Sequence, residues 1–204
     1  MIIDFARLKP LERYHWVTQT LIPRPIAWVL TENLSGQYNL APFSYFTAVS
    51  SAPPVVMISI GKKPDGSPKD TAVHAKRTGR LVIHVAGYAQ LDALNLSSET
   101  LPEAVSEVEK LGIELTAFEG FALPRVADAP VAYGCRVHSI QELGDVPQTL
   151  LFAEIEQVYV RDDAVIEETP GRYKVNARVL DPLARLGARE YATLGEVVER
   201  ERPA

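Results

Sequence analysis

Residues 26–31, Ile-Ala-Trp-Val-Leu-Thr, the turn Glu32-Asn33-Leu34-Ser35-Gly36-Gln37, and the return Tyr38-Asn39-Leu40-Ala41-Pro42-Phe43-Ser44-Tyr45-Phe46-Thr47 decide the fold. The first run is β-branched and aromatic enough to be a strand, and the polar and glycine residues after it send the chain back as a hairpin. The returning segment, Tyr38 to Ser50, interleaves aromatic and small polar residues. Pro42 withholds a ladder donor, so the strand bends or runs at a sheet edge there. Val55 to Ile60 is a continuous apolar run bounded by Pro53-Pro54 and Gly61, which predicts a strand buried on both faces. After residues 62–68, Lys69-Asp70-Thr71 opens a helical pattern over Thr71 to Thr78 with Gly79 as its stop. Asp70 or Thr71 is the expected N-cap, and a helix start beside a lysine can hold a phosphate.

Outward from this stretch, Pro10 to Gln19 predicts a short helix, and Arg80 to Ala86 another strand. Leu91 to Leu111 predicts a helical pair stopped by Gly112, with Glu99, Glu103, Glu107 and Glu109 on a solvated face. Three β-like runs follow, Val131 to Leu143, Leu150 to Val160 and Ala164 to Glu168, of which Thr149 to Val160 alternates well enough to be a long barrel strand. No repeat, low-complexity tract or linker divides the chain. The reading is one domain over 1–204, mainly β, a closed or nearly closed antiparallel barrel with helical excursions.

Composition narrows the function. At 204 residues and 47% hydrophobic content, one core can bury roughly 70% of the unfolded chain's surface. The net charge is −5, with Lys and Arg scattered, which gives no footprint for nucleic acid or an anionic membrane. No apolar run approaches the roughly 20 residues that span a bilayer. The N-terminus lacks a basic and then apolar leader, and Cys135 is the single cysteine, so a cytoplasmic location is expected. Cys135 stands among apolar strand residues and reads as a buried, inert thiol rather than a reactive one. His15 has no second ligand at helical spacing and reads as a surface or packing residue; His84 reads as a core histidine. His74 is nearer the suspected site, but nothing beside it in sequence orients it as a base.

Dinucleotide, P-loop, zinc-protease and serine-hydrolase motifs are all absent from the sequence, so a cofactor would have to be held by backbone groups and hydroxyls. No metal-ligand set is written in the chain.

Four motifs in order carry a resemblance: RPIAWVLT at 24–31, NLAPFSYF at 39–46, a diproline before an apolar strand, and KDT at 69–71. Together they resemble the flavin reductase-like family of FMN-binding split barrels, flavoredoxin branch. RLGAREYATLGEV at 185–197 resembles that branch's closing motif, so the likeness runs from about Pro23 to Val197. It implies an antiparallel split β-barrel and an FMN-dependent oxidoreductase in which bound flavin takes a hydride from NAD(P)H and passes electrons to flavin or another acceptor. The alternative it leaves open is a non-catalytic FMN-binding electron-transfer module. Position by position, it implies that Thr31 and Asn39 face the cofactor from the hairpin, that Pro42, Phe43 and Ser44 run beside the flavin ring, and that Thr47 and Ser50 lie further along the same strand. Lys69 and Thr71 would meet the phosphate, with Asp70 structural. Arg24 would place its guanidinium either on a phosphate or in a surface ion pair.

The chain departs from the family where a histidine often precedes the long strand that carries Glu154: Val146-Pro147-Gln148-Thr149 stands there, and Ala153 replaces the usual glycine. This puts direct NAD(P)H turnover in doubt while leaving flavin binding intact. The resemblance further implies a small-molecule substrate and a homodimer with the flavin near the subunit boundary. The run Phe43, Tyr45, Phe46 and the segment Tyr191-Ala192-Thr193-Leu194 supply more large apolar side chains than one small barrel needs, which fits a contact surface.

Overall fold

The computed structural model describes every residue except 103, 202 and 204. Its main sheet has seven strands: β1 (Ala27–Glu32), β2 (Tyr38–Phe43), β3 (Phe46–Ser51), β4 (Pro54–Ile60), β5 (Arg80–Val85), β6 (Val131–Leu143) and β7 (Gln148–Val160). They lie in the order β2-β1-β5-β6-β7-β4-β3, and every neighbouring pair is antiparallel.

The strand order itself shows that the sheet is rolled. β2 and β3 stand at opposite edges, yet only Ser44 and Tyr45 separate them. Three chain steps reach at most ~11 Å, whereas the edges of a flat seven-stranded sheet would be ~29 Å apart. The sheet therefore curls until its edges meet at residues 43–46, with the Ser59 N–H donating to the Tyr45 carbonyl across 2.8 Å beside the seam. This is a split barrel. Pro42 sits on the edge strand β2, as its missing N–H requires. The segment Tyr38 to Ser50, however, is two strands rather than one, because the chain changes edges at Ser44.

Two clusters make the core. Ala27, Val29, Val56, Ile58, Ile60, Leu81, Ile83 and Leu151 fill the barrel, and Ala72 and Ala75 of the helix Asp70–Thr78 plug it. Trp28, Leu30, Leu40 and Val82 face outward under a cover that includes Leu94, Phe118, Val126 and Leu183. β1 is buried on both faces, and so is β5 from Leu81 to His84. β4 instead alternates, with Val56, Ile58 and Ile60 inward and Met57 and Ser59 half-exposed; its outer face has no helical cover.

The α-helices among the described residues are α1 (Pro10–Thr20), α2 (Asp70–Thr78), α3 (Leu91–Leu96), α4 (Glu107–Leu111) and α5 (Ala177–Leu180). α2 ends on Gly79 at φ 70, a left-handed position that favours glycine. Its N-cap is Lys69, not Asp70 or Thr71: Asp70 is already in the first turn and holds Lys63 at 2.7 Å. The expected pair over Leu91 to Leu111 is shorter than its pattern, since α4 starts only after Ser106, whose hydroxyl accepts from the Glu109 N–H. Val165–Thr169 pairs only with Arg172–Val175 and lies outside the barrel as an exposed hairpin. Among the described residues no helix is long and apolar enough to cross a membrane.

Candidate functional site

The β1–β2 hairpin places Thr31 opposite Asn39, and α2 packs its first turn against them. The Asn39 side-chain amide donates to Thr71 Oγ1 at 3.0 Å and lies 3.4 Å from Thr31 Oγ1, which in turn is 3.4 Å from His74 Nδ1. All four side chains are buried, and buried polar groups persist only when paired. Thr31 is fully enclosed behind Asn39 and does not face the cleft, contrary to the sequence expectation. His74 belongs to this network as a structural member.

In front of the network lies a cleft of about 450 Å³ lined by Asn39, Ala41, Pro42, Lys69, Thr71 and the loop 97–101, among others. Lys69 at the N-cap makes no side-chain cap, since an ammonium offers no acceptor. The N–H groups of Asp70 and Thr71 therefore have no acceptor among the described residues at the positive end of the helix, where an anion is favoured. The Lys69 ammonium makes no ion pair among the described residues and stands 5.9 Å from the centre of the Phe43 ring. Phe43 itself is enclosed in the barrel core.

Two supports hold the cleft's walls. Trp28 Nε1 donates to Ser97 Oγ at 2.9 Å, and Ser97 Oγ donates to the Leu94 carbonyl at 2.9 Å, which pins the loop 97–101 to the barrel. On the open edge of β2, the Leu40 N–H donates to Glu107 Oε2 at 3.0 Å and the Ser106 hydroxyl to the Tyr38 carbonyl. A residue's N–H and C=O point to the same side of an antiparallel strand, so 38, 40 and 42 face outward. The first turn of α4 thus does for this edge what an eighth strand would do.

Glu107 is 5% exposed, and burial pushes its carboxyl above the ordinary carboxylate range. Reading it as part of a solvated face was wrong. Glu99 and Glu109 do lie outward, the first on Lys110 at 2.6 Å and the second on Gln37 at 3.1 Å, and Glu103 lies outside the described residues. The signal for Glu107 was Ser106-x-x-Glu109, a helix-start pattern that puts residue 107 in a first turn.

Past Pro42 the cleft continues into a second cavity lined by Pro42, Phe43, Ser44, Ser98, Arg185 and Tyr191, among others. It adjoins a third through Ser44 and Arg185. Arg24 lines this third cavity, away from Lys69. Its guanidinium donates to the carbonyls of Thr18, Leu21 and Leu186, so it is neither a phosphate ligand beside Lys69 nor half of a surface ion pair. It satisfies the carbonyls at the end of α1, which the helix itself leaves unpaired. Thr47 and Ser50 are on β3, at the opposite sheet edge and exposed, with their hydroxyls near the Ala48 carbonyl and the Ala52 N–H. They do not lie further along the strand of Pro42.

The remaining singled-out residues fall away from the cleft. Cys135 is enclosed in the barrel and its thiol is pushed up to about 12 by burial, which leaves it inert. His84 accepts from the Val126 N–H at Nε2 and donates from Nδ1 to the Trp28 carbonyl; it is a core histidine. His15 is exposed. Glu154 meets Arg136 and His138 on β6, outside the barrel, while Gln148 begins β7 and Ala153 is enclosed inside. Tyr191–Ala192 pairs with Ala184–Arg185, which pairs with Arg24–Pro25. Tyr191 and the Phe43 and Phe46 rings therefore pack within their own chain, while Leu194 remains 41% exposed.

Residues 19–177 match the model of the flavin reductase like domain. The structure is similar to nitrilotriacetate monooxygenase component B from Bacillus cereus, at 30% identity and a TM-score of 0.89 over 98% of each chain. It is also similar to the 2-nitrobenzoate 2-nitroreductase NbaA of Pseudomonas fluorescens, at 27% identity and a TM-score of 0.88 over 100% of this chain and 96% of that one. A candidate flavin reductase with a split barrel domain from Shewanella frigidimarina shares the fold at 22% identity and a TM-score of 0.84, over 100% of both chains. By its motifs, its rolled seven-stranded sheet and these matches, the chain belongs to the flavin reductase like family.

Proposed function

We propose that the protein is an FMN-holding oxidoreductase whose cofactor phosphate sits at the start of α2 and whose flavin ring lies along Pro42, Phe43 and Ser44. The observation that carries this reading is the helix start. An ammonium without an ion-pair partner among the described residues, two open N–H groups and the Thr71 hydroxyl converge on one end of a cleft. That donor set suits a terminal phosphate; of the three carboxylates that line the cleft, Asp70 is offset by Lys63, Glu99 by Lys110, and the Glu107 carboxyl is pushed above the ordinary carboxylate range by burial. The hydroxyls of Ser98 and Thr100 line the same cleft and suit a ribityl chain, while the outward carbonyls of Leu40 and Pro42 offer acceptors along its wall. Bound there, FMN supplies a ring that accepts a hydride from NADH or NADPH and passes electrons to flavin or another acceptor.

Similarity to a monooxygenase component and a nitroreductase supports redox chemistry for this cleft. The replacement of the family histidine by Val146 to Thr149 favours a second reading, an electron-transfer module reduced by another protein. Thr149 is engaged with Glu142 at 2.7 Å, and no acid or base stands in the histidine's place. We further infer a cytoplasmic homodimer acting on a small molecule. Support for pairing comes from β3, an edge strand exposed on both faces from Thr47 to Ser51.

Heating the purified protein and resolving the released flavin by chromatography tests the cofactor; FAD alone, or no flavin after reconstitution, would sink it. Anaerobic titration with NADH and NADPH separates the two readings. Bleaching of the flavin band by either nucleotide supports the reductase, and bleaching by dithionite alone supports the module.

A further inference from the structure

The cavity beyond Ser44 contains two guanidiniums and no carboxylate. Tyr14, His15, Arg24, Ser44, Arg185 and Ala188 are among its walls, and no Asp or Glu lines it among the described residues. Arg24 is 5% exposed and spends its donors on the carbonyls at the end of α1 and on Leu186. The negative end of that helix offsets part of its charge. Arg185 has no such compensation. It lies 4.4 Å from the centre of the Tyr191 ring, donates once to the Ala188 carbonyl at 2.6 Å, and makes no ion pair among the described residues. The two cations are close enough that Arg185 adds to the burial that already lowers the Arg24 pKa. Like charges gathered in a concave site are costly unless an anion joins them. Two aromatic rings also line the cavity, Tyr14 and His15, 6.0 Å apart.

We propose that this cavity binds the carboxylate of a small aromatic acid, held by Arg185 with its ring against Tyr14, as the second substrate of the cleft. The cavity shares Ser44 and Arg185 with the one beside Pro42 and Phe43, so an acid held there would meet the edge of a flavin ring running along Pro42 to Ser44. Its role as a substrate rests on the proposed flavin site; its occupancy by an anion does not. Arg185 has donors left for a two-point grip on a carboxylate, which a neutral analogue cannot use.

Calorimetric titration of the purified protein with benzoate, and separately with benzyl alcohol, tests the site. One benzoate per chain is expected, with benzyl alcohol at least about tenfold weaker. Arg185→Gln should weaken benzoate at least about tenfold, with unchanged far-ultraviolet circular dichroism, and Arg185→Lys should recover part of the loss. Equal binding of benzyl alcohol, or benzoate binding that Arg185→Gln leaves unchanged, would overturn the proposal. If Arg185→Gln does not fold, the benzoate and benzyl alcohol comparison on the native chain decides alone. Benzoate binding by protein that takes up no flavin would uphold the anion site and defeat the flavin reading, whereas a benzoate-induced shift of the flavin band would support both.

Discussion

Asn39 donates its side-chain amide to Thr71 Oγ1 across 3.0 Å, tying the edge strand β2 to the first turn of α2. With its oxygen accepting from Asn39, the Thr71 hydroxyl has no acceptor for its own hydrogen among the described residues, which is what the proposed phosphate site requires of it. The bond also fixes how far the helix start stands from Pro42. A ligand that spans from phosphate to ring would be measured by this one distance.

Lys69→Ala combined with Thr71→Ala should therefore weaken FMN far more than riboflavin, which lacks the phosphate. Losing an ammonium and a hydroxyl from a charged group costs about 1.5–3 kcal/mol per bond, so FMN affinity should fall by tenfold or more and riboflavin affinity by little. Fluorescence titration with both ligands reads the difference. Equal losses would make the segment structural only. Saturation of the native chain at a hundred times the dissociation constant should add about 2.7 kcal/mol to its stability.

Glu107 predicts a pH dependence with a definite sign. Its folded-state pKa is raised by burial, so the folded chain binds this proton more tightly than the unfolded one. The contribution is fully present below the ordinary value of 4.5 and is lost as pH rises through the folded value. Glu107→Gln keeps an acceptor for the Leu40 N–H and should remove that slope, melting higher than the native chain at neutral pH. Glu107→Leu leaves the Leu40 N–H without its partner and should cost about 1–3 kcal/mol. Thermal melts of the three proteins from pH 4 to 8 check both; a Glu107→Gln protein no more stable than the native chain at pH 8 would refute the assignment.

His84 acts in the opposite direction. It is fully enclosed, and its pKa is pushed down from 6.5 to about 4 by burial, against the favourable bond to the Trp28 carbonyl. Stability from this group is present above pH 6.5 and is lost as pH falls toward 4, on the order of 3 kcal/mol in all. Urea unfolding at pH 7 and pH 4.5 in the Glu107→Gln background removes the opposing slope of Glu107, leaving His84 and the lowered carboxylates Asp65, Glu142 and Asp163 to act in the same direction. A midpoint that does not fall on acidification would contradict the neutral core assignment.

The hairpin at 26–43, the helix after Lys69 and the long strand at 148–160 were legible because each is written in local pattern: a period, a turn, a glycine stop. The exchange of edges at Ser44 was not, since Tyr38 to Ser50 reads as one returning strand, with no glycine or turn pair to mark a break at Ser44. Thr47 and Ser50 were misplaced for that reason. Arg24 was misread because its partners are backbone carbonyls at 18, 21 and 186, which leave no trace in side-chain spacing. Glu107 and the loop 97–101 are brought to the cleft only by the outer cover of the barrel. That packing is set by Trp28, Leu40, Leu94 and Val108 together and by no one motif.

The pairing of subunits makes the last prediction, and its ground has moved from the aromatic run to β3. That strand closes one sheet edge, its outer side has no partner strand among the described residues, and Val49 on it is 49% exposed. An exposed edge of this kind is a template for association unless something covers it. A second exposed apolar surface stands on the hairpin of Val165–Thr169 and Arg172–Val175, where Ile166 is 44% and Tyr173 65% exposed. A two-fold pair that covered both would bury the same surfaces on each copy, and an obligate pair should bury roughly 2,000 Å² or more. Light scattering at micromolar concentration should then give twice the chain mass of 22.5 kDa. Val49→Lys, which places a charge on the uncovered strand without touching the barrel core, should shift the protein toward the single chain and release flavin as it does so. A native mass near 22.5 kDa with flavin still bound would show that the cleft is complete in one subunit and end the case for pairing.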